Sequence, residues 1–165
     1  MRAFRVNQNK TAWVDEQDYL RVCRYSWQID KGGYLKVNTR VKGKRVSILL
    51  HRFILGLSNP SVFVDHIDGN PLNNSRSNLR LCDNSQNQAN RPANAFKKHG
   101  QYKGVFYRPK KKAWVSEISC RGKRFYLGFF RDEKKAALAY NKKALELFGE
   151  FALLNQTENQ FRLAI

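Results

Sequence analysis

Apolar positions in the first fifty residues come in short alternating runs: Ala3 to Val6, Thr11 to Val14, Trp27 to Ile29, Tyr34 to Val37 and Arg45 to Leu50. Alternation with period two predicts half-buried β-strands. Lys31-Gly32-Gly33 and Lys42-Gly43-Lys44 separate the later runs, with glycines that supply the positive φ a hairpin needs. Between the strands, Asp15 to Tyr25 predicts a short helix with Leu20, Val22 and Cys23 on its apolar side, and His51 to Leu57 predicts another. An apolar run from Ser61 to Val64 then leads into Asp65-His66, the turn Asp68-Gly69-Asn70-Pro71, a second run from Leu79 to Cys82, and a helical segment opened by Asp83 or Ser85. The order is strand, polar loop, strand, helix.

The texture changes after Arg91. Residues 91 to 101 hold Pro92, Gly100, two lysines and little periodicity, and read as a basic linker. From Tyr102, three strand-like runs follow (102–108, 113–120 and 124–130), separated by Pro109-Lys110-Lys111-Lys112 and Arg121-Gly122-Lys123. Asp132 is a good N-cap for a helix over 133–148, in which Ala137, Tyr140, Ala144, Leu147 and Phe148 recur at helical spacing and which Gly149 ends. That helix should cover one face of a three-stranded antiparallel sheet and leave the other free to bind. The fold class is α+β.

Charge narrows the function. Thirty-one Lys plus Arg against 13 Asp plus Glu give a formal net charge of +18 over 165 residues. Such a chain suits a polyanionic partner, because each cation placed on a phosphate releases counterions. No basic amphipathic helix stands out, and no apolar stretch approaches the roughly 20 residues that span a bilayer, so no membrane partner is expected. The N-terminus lacks the apolar core of a signal peptide. Cys23, Cys82 and Cys120 are widely spaced and read as buried, reduced thiols, which excludes a CxxC zinc finger and implies a reducing compartment.

Hydrolysis of a phosphodiester needs an activated water, a cation against the charge building on phosphorus, and stabilisation of the leaving oxygen. Adjacent Asp65 and His66 can address the first two, with neutral imidazole as general base and the carboxylate turned to a metal. One carboxylate makes a sparse cage, which suits a hard divalent ion, Mg²⁺ or Mn²⁺, completed by water and phosphate oxygens. A second oxygen ligand should come from the following helix, from Asn84, Asn87 or Asn90.

The stretches HRFILG, VDHIDGNPLNNSRSNLRL and SQNQANR resemble the phage and mobile-intron HNH homing endonucleases, built on a ββα-metal module. By that resemblance Asp65 is a metal ligand, His66 the general base, Asn78 the brace of the loop, and Asn87 the second metal ligand where many relatives carry His. His51 fits the pattern as a structural or backbone-contacting residue. The stretch from YKGVFYR to FALLN is similar to the plant ethylene-response-factor (Apetala-type) DNA-binding domain, whose sheet enters the major groove. Arg108, Trp114, Glu117 and Arg124 fall on matching positions, Tyr126 replaces a Trp, and Phe106 stands where the plant proteins carry a base-reading Arg. Trp114 has a second reading as core. Lys110, Lys111 and Lys112 read as a phosphate clamp or a solvated turn, and Arg121 and Lys123 at the next hairpin tip read likewise.

These readings imply a β-rich segment over 1–50, an HNH module over 51–91, a basic linker over 92–101, a DNA-binding domain over 102–155 and a tail over 156–165. The implied activity is metal-dependent cleavage of double-stranded DNA in the cytoplasm of a bacterial or phage-infected cell, with no protein partner. Two alternatives stand beside it. One is a DNA-binding regulator with an inactive HNH module; the other is an RNA-binding protein that stacks bases on Phe106, Tyr107, Phe125 and Tyr126.

Overall fold

The computed structural model describes residues 1–7, 9–92 and 100–157. The chain is α+β and divides into two compact units, residues 1–83 and 84–165. Most of the expected linker (93–99) and of the expected tail (158–165) lies outside the described residues.

In the first unit, β1 (Arg2–Asn7) and β2 (Lys10–Val14) form an antiparallel hairpin, followed by helix α1 (Glu16–Val22). Strands β3 (Gln28–Ile29), β4 (Leu35–Val41) and β5 (Lys44–Leu49) make a three-stranded sheet in the order β3-β4-β5, and α2 (Leu50–Leu55) follows directly. The β4–β5 turn is the pair Lys42-Gly43, both at positive φ (49° and 78°), as a two-residue hairpin loop requires. It sets Arg40 opposite Arg45 on the outer strand pair, and among the described residues neither arginine has an acidic partner. Ala12, Val14, Val22, Trp27, Leu35 and Leu50 are central to the core.

Helix α1 departs from the expected pattern. Leu20 is 75% exposed and Cys23 is exposed, while Asp18 is 2% exposed. Positions 18 and 22 lie one turn apart on the inner face, so residue 20 points outward. A carboxylate tolerates that inner position because two arginines neutralise it. Arg76 binds Asp18 through two nitrogens at 2.8 and 3.0 Å, and Arg21 donates to it at 2.6 Å.

Strands β6 (Phe63–His66) and β7 (Leu79–Cys82) form a separate antiparallel pair, with Asp65 opposite Arg80 and His66 opposite Leu79. The loop between them docks on β2: Trp13 N donates to Leu72 O at 2.9 Å, and Asn74 N to Trp13 O at 2.8 Å. The β-rich start of the chain therefore holds the loop in place.

The second unit begins with α3 (Asn84–Ala89), directly after Asp83. Ala89 joins Ile118, Tyr140, Ala144 and Phe148 in one apolar cluster. Lys103 Nζ donates to the carbonyls of Gln88, Ala89 and Arg91, which satisfies the open C-terminal end of the helix. Strands β8 (Val105–Arg108), β9 (Ala113–Cys120) and β10 (Lys123–Phe130) form an antiparallel sheet with β9 in the middle. Helix α4 (Glu133–Phe148) packs across it, capped by Asp132, which accepts from Lys135 N at 2.8 Å. Gly104 permits the close approach: a Cβ there would stand 2.0 Å from the Tyr140 ring and 2.6 Å from Glu117 O.

Candidate active site

The β6–β7 loop is organised by its own polar side chains. Asp68 accepts Asn70 N at 2.8 Å, Asn73 Nδ2 at 2.8 Å and Asn78 Nδ2 at 2.9 Å. Asn78, 8% exposed, also donates to Asn73 O at 2.8 Å and accepts Asp68 N at 3.0 Å, so one amide ties both ends of the loop together. Burial pushes the Asp68 carboxyl up, but the bonds from Asn70, Asn73 and Asn78 outweigh it and hold the group below its ordinary range. Gly69, at φ 71°, closes the turn, with its N–H on His66 O at 2.9 Å.

Asp65 and His66 end β6 and, as strand neighbours, point to opposite faces. Asp65 Oδ2 accepts Arg80 Nε at 2.9 Å and Nη2 at 2.8 Å, across the strand pair. A carboxylate has about four acceptor positions, so this pair alone does not exhaust it. His66, buried, lies with Nε2 3.4 Å from Asn74 Oδ1. Its ring meets His51 edge-on at 5.3 Å between centroids, with Tyr34 5.9 Å away. Burial lowers the His66 pKa, against upward pulls from Asn74, Asp68 and Asp65, so the imidazole is neutral at neutral pH and able to accept a proton. His51 is held down to about 3, by burial first and by the charge of protonated His66 second. Cys82 is half-buried and its thiol is pushed up to about 11, chiefly by desolvation, so it is no nucleophile near neutral pH.

Asn84, Asn87 and Asn90 all fall in the second unit. Asn84 is exposed and accepts a bond from Gln88, whereas Asn90 is buried. Asn87 is half-buried, and its amide bonds no other described residue. Among the described residues no group of three His, Cys, Asp or Glu side chains forms a metal cage. The carboxylate and amide oxygens of the ligands expected from the sequence are donor types that fit a hard divalent ion.

The C-terminal sheet has two unlike faces. Tyr107, Trp114, Phe130, Ile118 and Phe125 face α4. Trp114 is half-buried and packs edge-on to Tyr107 at 5.2 Å on the helix-facing side of the sheet. On the outer face, Arg108, Lys110, Lys111, Glu117 and Tyr126 line a groove of about 650 Å³ together with Pro109, Val115 and Phe129. Arg124, opposite Ser119 on this face, stands 3.8 Å from Glu117. Lys112 and Arg121 take the positive-φ positions of the two turns, at 47° and 48°. Lys123 Nζ lies 5.3 Å over the Phe125 ring. The four-ring stacking platform is split, since Phe106 and Tyr126 face outward while Tyr107 and Phe125 face the helix.

Phe129 was not among the expected binding residues. The register shifts between Tyr126 and Gly128, so residue 129 sits opposite Val115 on the outer face instead of following the parity of 125 and 127. Gly128 within a strand is the sequence signal of such a bulge.

The HNH endonuclease family model matches residues 49–89, a span that covers α2, β6, the Asn-rich loop, β7 and α3. An uncharacterized HNH endonuclease of Acanthamoeba polyphaga mimivirus is 35% identical over 152 residues, spanning 89% of this chain and 75% of that protein. The chain belongs to the HNH endonuclease family. At that level it is a nuclease. An ethylene-responsive transcription factor of Arabidopsis thaliana is 33% identical over 99 residues, 57% of this HNH protein and 59% of the plant one. A solved structure titled as DNA binding and cleavage by the HNH homing endonuclease I-HmuI aligns with 40% of each chain at 31% identity and a TM-score of 0.35. So short an overlap leaves the fold to be argued from the chain itself. Among the described residues, no helix is long and apolar enough to cross a membrane.

Proposed function

We propose that the protein is a metal-dependent DNA endonuclease, with His66 as general base, Asp65 and Asn87 as metal ligands and Asn78 as the brace of the loop between them in sequence. The observation that carries this reading is the Asp65-His66 pair at the end of β6, beside a loop tied shut by Asn78, inside the span of the family match. His66 is neutral at neutral pH and so able to take a proton from water. Asp65 offers a carboxylate, and Asn87 an amide oxygen that no other described residue uses. A bound Mg²⁺ or Mn²⁺ would supply the positive charge that offsets charge building on the scissile phosphate. Arg80 pairs with Asp65 at 2.8 Å at the strand end and balances its charge.

Residues 51–91 form the nuclease module in this reading, and 1–50 support its loop. The sheet and helix of 102–155 tether the chain to double-stranded DNA, with Arg108, Lys110 and Lys111 on phosphates. A small cleft around one scissile phosphate cannot itself read many base pairs, so a separate binding surface is needed. The regulator and RNA-binding alternatives find less support: Asp65, His66 and Asn87 are all present, and the four aromatic rings do not share a face.

The test is cleavage of supercoiled plasmid. Nicked or linear product is expected with Mg²⁺ or Mn²⁺ and none with EDTA. His66→Ala should lose roughly 10²–10⁴-fold in cleavage rate while keeping its affinity for DNA. Undiminished cutting by that variant would refute the assignment of the base.

A further inference from the structure

The groove on the outer face of the C-terminal sheet has a basic rim and an apolar floor. Arg108, Lys110 and Lys111 stand on the rim, and Val115, Tyr126 and Phe129 line the floor. Phe106 lies across from Val115 and extends the floor under β8. Tyr126 and Phe129 meet edge-on at 5.5 Å, yet remain 55% and 54% exposed. Two large rings open to water side by side mark a surface that a partner covers.

The rim identifies the partner's charge, and the floor identifies what lies between the charges. Cations spaced along one side of a groove suit phosphates. Guanine is read by Arg or Lys reaching two acceptors on its edge, but the floor of this groove presents rings and Val115. In the DNA major groove the exposed apolar group is the 5-methyl of thymine. We infer that this face reads thymine methyl groups, with Tyr126 and Phe129 as the contacting residues, so that the protein prefers a thymine-rich target. The inference rests on the proposed tethering of the sheet to DNA and specifies which base that tether selects. Glu117, the one acid among the residues lining the groove, accepts from the exocyclic amine of a neighbouring adenine or cytosine.

The experiment uses the full chain, in EDTA so that no cutting occurs. Duplexes selected from a random-sequence pool should be rich in thymine. The selected duplex is then remade with deoxyuridine for thymidine, which removes only the methyl groups. Affinity should fall about fourfold for each methyl removed from the groove. Phe129→Ser should reduce that difference while leaving the salt dependence in place. Phe129 lies on an outer strand of the sheet, and the thymine-to-uracil comparison uses the unaltered chain, so the result does not depend on that variant folding. Equal affinity for the two duplexes, with Arg108→Ala still weakening both, would overturn the methyl reading and leave the tether standing. Equal affinity with no effect of Arg108→Ala would overturn both. Tighter binding of single-stranded RNA than of the selected duplex would make the groove a stacking surface instead.

Discussion

The β6–β7 loop and the outer face of the C-terminal sheet treat polar groups in opposite ways. In the loop, Asp68, Asn70, Asn73 and Asn78 direct their hydrogen bonds at one another and at nearby backbone. On the sheet, Arg108, Lys110 and Lys111 line an open groove. In the proposed reading, the loop beside the general base must be held before substrate arrives, whereas the sheet face that would bind a polyanion must keep its donors available. The difference separates two kinds of failure: damage to the loop should cost stability and rate, and damage to the sheet face should cost affinity alone.

The largest effect should come from the anchor beneath the loop. Asp18→Ala removes the buried carboxylate that holds Arg76 and Arg21, and should lower stability by about 3 kcal/mol in urea denaturation. Acid should act on the same unit. His51 stays unprotonated in the folded chain down to about 3 but takes a proton near 6.5 when unfolded. The unfolded state therefore binds more protons between those values, and stability is lost as pH falls from about 6.5 towards 3. His66, shifted the same way, adds to the loss, and urea midpoints measured at successive pH values would show it. A flat midpoint across that window would mean that the two rings are not buried together.

Asn78→Ala comes next. It should cost about 1–3 kcal/mol and lower the cleavage rate more than the DNA affinity. If affinity fell as far as rate, the loop would itself be a binding surface and the comparison would fail. Least disturbing to the fold is Lys110→Ala with Lys111→Ala, expected within about 0.5 kcal/mol of the parent in stability. That pair should still reduce the slope of log affinity against log salt by about 0.9 for each phosphate that is no longer neutralised.

Local signals made much of the second unit legible. Asp132 and Gly149 bound helix 133–148 in sequence and in structure, because caps and 3.6-residue spacing act within one element. The bulge before Gly128 breaks the period-two pattern of the strand and carries Phe129 to the outer face. The buried Asp18 was hidden for a different reason: a charged residue facing inward on a short helix makes sense only with Arg76, 58 positions away. The Asp65–Arg80 pair depends likewise on a strand register that no single stretch encodes. Asp68-Gly69 announces its turn by composition, whereas the bracing role of Asn78 came from the family resemblance.

Arg40 and Arg45 face each other on β4 and β5, and β5 is an outer strand of its sheet. Like charges directly opposite each other weaken a hairpin. They also defend it. An outer strand carries a row of unpaired backbone donors and acceptors to which a second chain can add, and cationic side chains along it repel an identical strand on approach. For molecules gathered side by side on one polymer, local concentration rises and so does the risk of strand exchange between copies. Neutralising the two arginines would therefore firm the hairpin and, by the same change, open its edge to self-association.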